Sequence, residues 1–305
     1  MLKVAGYIRD YFIGVNKGIF CISTLFTALL VFINYNWELN DRINALEGER
    51  QYLGWYFLFL LAFSFVYLLG ALSGESMVFR NWRFVLLLLL APAIFAWKMS
   101  FDFTLPLASE WRENAYWNRV IYWPLKLTGL TFALWIAWKL FDRRQPFYGF
   151  SSKDFSLKPY LLMLLIMVPL IAAASTQPDF LAMYPKFKNV GFLTEDRSSG
   201  WYKVLYELSY GIDFVGIELF FRGFLVLAFV KWVGKDAILP MAIFYCTIHF
   251  GKPLGECISS FFGGIILGVV TYHTRSILGG LIVHLGIAWL MELGGYLGRH
   301  LELVS

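Results

Sequence analysis

Long, uninterrupted apolar runs constrain this chain more than any other feature. The run VLLLLLAPAIFAW at 85–97 contains no charged residue. Inside a bilayer the backbone N–H and C=O groups have no water to bind, so only α-helices and closed β-barrels satisfy them. Barrel strands alternate polar and apolar residues over about ten positions, whereas a spanning helix needs about 20 mostly apolar residues. These continuous runs therefore predict membrane-spanning helices.

Composition supports the same fold class. Hydrophobic residues make up 59% of the 305 residues and charged residues only 15%, which excludes an ordinary soluble domain. We predict an all-α, polytopic transmembrane bundle of about eight or nine spans. The predicted spans lie near residues 19–36, 53–73, 82–98, 119–140, 158–175, 205–230, 236–251, 254–273 and 277–297.

The polar residues divide the chain into two chemically different parts. Residues 1–176 read as scaffold helices with few interior charges, and 177–202 as an extramembrane or re-entrant connection. Residues 203–305 carry most of the intramembrane ionisable groups and form the predicted core. Such groups are costly in a membrane unless they are paired, hydrated or functional.

Loop charge predicts the topology. The loop at 139–158 is the most basic in the chain, and the loop at 38–50 is net acidic. By the positive-inside rule the N-terminus lies in the cytoplasm. The net charge of +5 belongs mostly to such loops, so it indicates topology rather than a nucleic-acid partner.

Four ionisable residues stand within the most apolar third of the chain: Glu218, Arg222, His249 and His284. In an α-helix, a glutamate and an arginine four positions apart share one face. This spacing fits a functional site, and it fits equally a static structural ion pair.

The order of the motifs around these residues is that of a known family. IELFFRG occupies 217–223, and Tyr245 precedes His249 by four residues in YCTIH. A third region places His284 ten residues after Thr274. Its other matching positions are Phe261, Gly264, Gly268, Ser276 and Ile277. Over about residues 205–290 the chain resembles the CPBP family of intramembrane proteases, which includes type II CAAX prenyl endopeptidases and bacteriocin-processing (Abi-like) or immunity proteins.

Two positions depart from the family pattern. The first motif of the family has two adjacent glutamates, whereas this chain has Ile217 before Glu218. The last motif has asparagine or a similar polar residue four positions after the final histidine, whereas this chain has Ala288. The resemblance therefore implies a divergent member, with Glu218 as the remaining base and a missing oxyanion donor.

Peptide hydrolysis needs a held water, a base and donors for the developing oxyanion. The resemblance implies catalytic roles for Glu218, His249 and His284, which share the water or donate to the oxyanion. Arg222, Tyr245, Asp213 and Glu256 are the expected supporting residues. Glu256 also fits a simple helix-start carboxylate after Pro253, and Asp213 or Glu207 either replaces the absent glutamate or lines the water path.

No cofactor is expected. Two histidines and a carboxylate are an ordinary zinc set, so a divalent metal is the second possibility, although the HExxH spacing is absent. The expected partners are membrane lipid and a peptide or membrane-protein substrate, with no nucleic acid.

We interpret the chain as an intramembrane endopeptidase of the CAAX-protease or bacteriocin-processing type, in a bacterial inner membrane. The alternative is a catalytically inactive CPBP-fold protein with an immunity, scaffold or interaction role, which Ile217 and Ala288 favour. A proton-coupled transporter is a third class, but it predicts inverted repeats that the sequence lacks.

Overall fold

Helices account for nearly all of the chain that the computed structural model describes, which comprises residues 2–152, 155–189 and 200–302. No residue in these ranges forms a β-strand. The predicted all-α fold is confirmed.

The helices follow one another along the chain with short connections. The α-helices are α1 (Leu2–Gly14), α2 (Lys17–Trp37), α3 (Leu39–Asn44), α4 (Gly48–Gly70), α5 (Trp82–Ser100), α6 (Trp111–Phe141), α7 (Lys158–Ala174), α8 (Pro178–Met183), α9 (Gly200–Glu218), α10 (Val230–Val233), α11 (Ile238–Thr247), α12 (Leu254–Thr274) and α13 (Leu278–Glu302). A π-helix (Leu219–Ala228) lies between α9 and α10, and a second, shorter one is Ala71–Glu75. The 3-10 helices are Ser76–Arg80, Phe147–Gly149, Lys186–Asn189 and Gly234–Ala237.

Six helices among the described residues are long and apolar enough to cross a membrane: α2, α4, α5, α6, α12 and α13. The apolar helix α7 is shorter, with 17 residues. The segment predicted at 236–251 forms only the ten residues of α11 as helix, followed by a turn. At 1.5 Å per residue such a helix covers about 15 Å, half of a hydrocarbon core. The protein is an integral, multi-pass membrane protein, and the side on which its N-terminus lies stays a prediction.

The first compact unit of the chain lies within 1–101, 132–153 and 219–278. Its centre is α11, which packs against α2, α4, α12 and the π-helix. Phenylalanine rings fill this centre, as where Phe59 and Phe244 lie 4.7 Å apart. A Cβ atom added at Gly264 would lie 3.3 Å from the Ala242 backbone. The backbones of α11 and α12 therefore approach closely at this glycine.

The second compact unit lies within 102–131, 154–218 and 279–305. Its larger cluster combines side chains of α6, α9 and α13: Tyr116, Val120, Trp123, Tyr206, Tyr210 and Ala288. A smaller cluster combines Ile171, Phe180, Leu181 and Tyr184. The predicted division at residues 176 and 202 followed chemical character along the sequence, and it stays a prediction.

Candidate functional site

The second unit brings together two of the predicted catalytic residues, Glu218 and His284. Glu218 is the last residue of α9, and His284 lies in the second turn of α13. The Nδ1 atom of His284 is 2.9 Å from the Oε1 atom of Glu218. The Glu218 side chain is fully buried and that of His284 is 13% exposed. A hydrogen bond to a carboxylate is stronger than one between neutral groups, and burial strengthens it further.

Two neighbours shape this pair. A Cβ atom added at Gly280 would lie 2.4 Å from the Oε2 atom of Glu218, so the absence of a side chain there makes room for the carboxylate. The Phe214 ring meets the imidazole of His284 edge-on, with 4.7 Å between the ring centroids. Gly280 thus leaves space for the Glu218 carboxylate, and the Phe214 ring limits the orientations open to the His284 imidazole.

Neither neighbour was among the residues predicted from the sequence, although a signal for both exists. Gly280 precedes His284 by four residues, and Phe214 precedes Glu218 by the same interval. On an α-helix this interval places two residues on one face. A search of the flanking turns for small and aromatic residues would have found them.

The backbone changes from α-helix to π-helix immediately after Glu218. All ten residues of the π-helix are buried. The apolar pattern predicted a helical span over 205–230, but it gave no indication that Leu219–Ala228 winds as a π-helix. The reason is that LFFRGFLVLA contains no proline and a single glycine, so helix propensity gives no warning of i→i+5 hydrogen bonding. Isolated π-helical turns occur frequently at functional sites.

A second polar group lies in the first unit and consists of Arg222, Tyr245 and His249. The Arg222 guanidinium is fully buried and lies 4.1 Å from the centroid of the Tyr245 ring. That ring is 4.6 Å from the His249 ring. The Nδ1 atom of His249 is 2.9 Å from the backbone oxygen of Tyr245. Cation–π contact stabilises a desolvated guanidinium by about 2 kcal/mol.

The hydrogen bond of His249 sets the chemistry of its ring. A carbonyl oxygen only accepts, so Nδ1 carries the proton that it donates to Tyr245. In the neutral ring Nε2 is then an acceptor, as a residue that holds a water requires. The predicted convergence of His249 with Glu218 and His284 on one water stays a prediction.

The remaining predicted residues have simpler surroundings. Glu256 lies in the first turn of α12 and its Oε1 is 3.4 Å from the Nζ of Lys252. The expected helix start after Pro253 is confirmed. Asp213 and Glu207 are half-buried on α9.

The two departures from the family pattern have apolar surroundings. Ile217 is buried beside Glu218 in the chain. Ala288 is buried and belongs to the cluster of α6, α9 and α13 that also contains Tyr206 and Tyr210. These positions are therefore packed rather than left open by the loss of their polar groups.

Metal ligation was the second possibility for these residues. Among the described residues, no group of three or more His, Cys, Asp or Glu side chains is arranged to hold a metal ion.

Comparison with known proteins finds a family match for the C-terminal part of the chain. Residues 202–290 match the family described as Type II CAAX prenyl endopeptidase Rce1-like. This range contains both polar groups described above. No curated protein matches the chain, and no solved structure does. Over residues 202–290 the chain is therefore similar to CAAX-type intramembrane proteases, the family that its motifs resemble.

Proposed function

We propose that the protein is an intramembrane endopeptidase that hydrolyses a peptide bond of a membrane-associated protein with a water activated by Glu218 and His284. The observation that carries this proposal is the 2.9 Å hydrogen bond between a fully buried carboxylate and an imidazole. A pair of this kind accepts and returns protons, and a fixed structural contact between apolar helices does not need one. The family match of residues 202–290 supports the same activity.

Glu218 is the general base in the proposed reaction. Its carboxylate takes a proton from the water while the water oxygen bonds to the carbonyl carbon of the substrate. The proton then passes to the amide nitrogen as the C–N bond breaks, which yields a carboxylic acid and an amine. Positioned proton transfer of this kind contributes about 10²- to 10⁴-fold to a rate.

His284 holds the carboxylate and His249 holds the water. An imidazole that donates its Nδ1–H to Glu218 fixes the orientation of the acid, and its Nε2 is the second contact for the water. The Nε2 of His249 is an acceptor of the same type, since its Nδ1 is engaged by the Tyr245 carbonyl.

The substrate is a peptide segment at the membrane. The resemblance implies either a C-terminal prenylated-type peptide or a bacteriocin-like leader. The predicted bacterial inner-membrane location would favour the leader or another membrane substrate.

The test works without an identified substrate. Membranes from cells that express the wild-type chain or Glu218→Gln are compared by mass spectrometry of peptide termini. Termini present with the wild type and absent with Glu218→Gln are the expected products. The matched control is Glu292→Gln, which replaces another buried glutamate, one whose Oε2 accepts the backbone N–H of Lys186 at 2.8 Å. Glutamine retains that acceptor, so the control is expected to leave the products unchanged.

Two further variants test the base itself. Glu207→Gln and Asp213→Asn remove the carboxylates that stand earlier on α9. Loss of products with either, and not with Glu218→Gln, would transfer the role of the base to that residue.

The second candidate is a catalytically inactive CPBP-fold protein, and the packing of Ala288 favours it. Ala288, at the position where the family carries a polar group, is buried in a mainly aromatic cluster. If the protein is inactive, the peptide termini are identical in membranes with the wild type and with Glu218→Gln, when the two proteins are equally abundant in the membrane.

A further inference from the structure

A basic pocket lies in the first unit, and none of the candidate site residues lines it. It encloses about 750 Å³. Five basic side chains line it, namely Arg83, Lys139, Arg143, Arg144 and Lys231. Asp142 is the one acidic residue among the described residues that line it.

The single carboxylate does not neutralise this pocket. The Oδ1 atom of Asp142 is 2.5 Å from the Nζ of Lys231, and its Oδ2 accepts a hydrogen bond from the Tyr148 hydroxyl at 3.2 Å. The Asp142 side chain is only 2% exposed, and both of its carboxylate oxygens are engaged by Lys231 and Tyr148. Arg83, Lys139, Arg143 and Arg144 remain as four exposed cations around one cavity.

Such a cluster is self-repelling unless an anion occupies it. Like charges that line one cavity repel one another even near water, which raises the free energy of the folded state. Arginine forks are suited to phosphate oxygens, which they bind in pairs of parallel hydrogen bonds. The start of α5 adds to the attraction, since a helix N-terminus carries a partial positive charge.

The position of the pocket indicates where the anion comes from. The pocket lies where α5 begins and α6 ends, and both helices are candidate membrane spans. The Trp82 and Phe141 rings meet there with centroids 6.2 Å apart. The ends of two spans place the basic side chains at the level of the lipid headgroups.

Exposed apolar side chains continue from the pocket along both helices. On α5 these are Trp82, Leu86 and Leu89, and on α6 they are Phe132, Trp135, Ile136 and Leu140. They face outward and are suited to acyl chains. A soluble anion would use the basic pocket and leave this apolar surface unused.

We propose that this pocket binds the phosphate-bearing headgroup of an anionic phospholipid, whose acyl chains lie along α5 and α6. Arg83, Lys139 and Arg144 contact the phosphate, and the Lys231–Asp142 pair forms the floor. The ligand class is a glycerophospholipid with net negative charge, and a zwitterionic lipid is discriminated against because its cationic group meets the same cluster.

The test is native mass spectrometry of the full chain in detergent. The protein is titrated with phosphatidylglycerol or with phosphatidylcholine of the same acyl chains. We expect preferential binding of phosphatidylglycerol. The triple variant Arg83→Gln, Lys139→Gln and Arg144→Gln leaves the Lys231–Asp142 pair intact. It should weaken phosphatidylglycerol binding by about 100-fold, since each of the three basic side chains contributes about fivefold near an anionic surface.

The matched control removes three exposed charges elsewhere in the same unit: Lys17→Gln, Arg42→Gln and Arg50→Gln. It has the same net charge as the triple variant, so it should keep the wild-type preference. An equal loss of phosphatidylglycerol binding in both triple variants would mean that the lipid is attracted by overall charge, and it would overturn the proposal of a binding pocket. If the triple variant does not fold, Arg144→Gln alone is expected to weaken binding about fivefold.

Two more probes distinguish other ligands. Glycerol 3-phosphate carries the same phosphate without acyl chains, and binding as tight as that of the lipid would overturn the lipid assignment in favour of a soluble anion. A hexaglutamate peptide that displaces phosphatidylglycerol at lower concentration would identify an acidic protein segment as the ligand instead.

Discussion

Two fully buried charged groups, Glu218 and Arg222, are stabilised in opposite ways. Glu218 is hydrogen-bonded to His284, a partner that can itself gain or lose a proton. Arg222 stacks on Tyr245, a partner that accommodates a permanent charge. Burial alone therefore does not distinguish a catalytic group from a structural one. The difference lies in whether the contact of the buried charge permits proton exchange.

The two histidines offer the strongest way to sharpen this contrast. His284 contacts the proposed base directly, whereas His249 is anchored to a backbone carbonyl. We expect His284→Gln to lower the rate of product formation by about 10²- to 10⁴-fold, within the range of acid–base catalysis. His249→Gln is expected to lower the rate by a smaller factor, because it leaves the proposed base Glu218 and its partner His284 in place. The measurement is the time course of the termini identified for the wild type, and a larger loss with His249→Gln would reverse the assigned roles.

Gly280 offers a test of carboxylate position without a change of charge. The Cβ atom of Gly280→Ala would lie 2.4 Å from the Oε2 atom of Glu218, so the acid must move by about 1 Å. A displacement of that size costs about 100-fold in rate. Gly263→Ala is the control, because nothing lies within 4 Å of its added Cβ. Full activity in Gly280→Ala would show that the observed carboxylate position is not the reactive one.

Arg222 can be tested through stability. Arg222→Lys keeps the charge but loses the planar stack on Tyr245, and we expect the free energy of unfolding to fall by about 1–2 kcal/mol. The measurement is thermal unfolding in detergent, read as a shift of Tm. The matched control is Arg112→Lys, an exposed arginine 5.2 Å from the Trp111 ring, where the change should stay below about 1 kcal/mol. Equal shifts would mean that burial adds nothing to the Arg222 contact.

The smallest effect is expected at Glu256. Its ion pair with Lys252 and its place in the first turn of α12 each contribute less than about 1 kcal/mol. Glu256→Gln should lower Tm slightly and leave the rate of product formation within the same order of magnitude. Glu113→Gln, in the first turn of α6, is the corresponding control. A collapse of activity in Glu256→Gln alone would add this carboxylate to the catalytic group.

Sequence periodicity predicted much of the fold because the membrane imposes it. Each of the predicted spans lies on a helix, since lipid leaves the backbone no alternative within an apolar run. The amphipathic helix α1 was missed, because Leu2–Gly14 is too polar to read as a span. Its hydrophobic side chains alternate with Lys3, Arg9 and Asp10, and hydropathy alone does not separate such a helix from a loop.

The candidate site was predicted by residue identity and not by geometry. Glu218 and His284 are separated by 66 positions, and only tertiary packing of α9 on α13 joins them. The room that Gly280 leaves for the acid is equally a property of packing. Motif spacing therefore named the polar residues but carried no information on which of them touch.

The π-helix also bears on how this chain tolerates insertion and deletion. Each of its hydrogen-bonded rings holds one residue more than an α-helical ring, because the bond runs i→i+5. Removal of one residue from Leu219–Ala228 would let the segment return to α-helical winding. Each residue of an α-helix adds about 100° of rotation, which is more than a residue of the wider i→i+5 helix adds, so the change of winding would offset most of the rotation lost with the deleted residue. The π-helix would thus absorb a one-residue deletion by a change of winding, and the side chains that flank the segment would keep their buried faces.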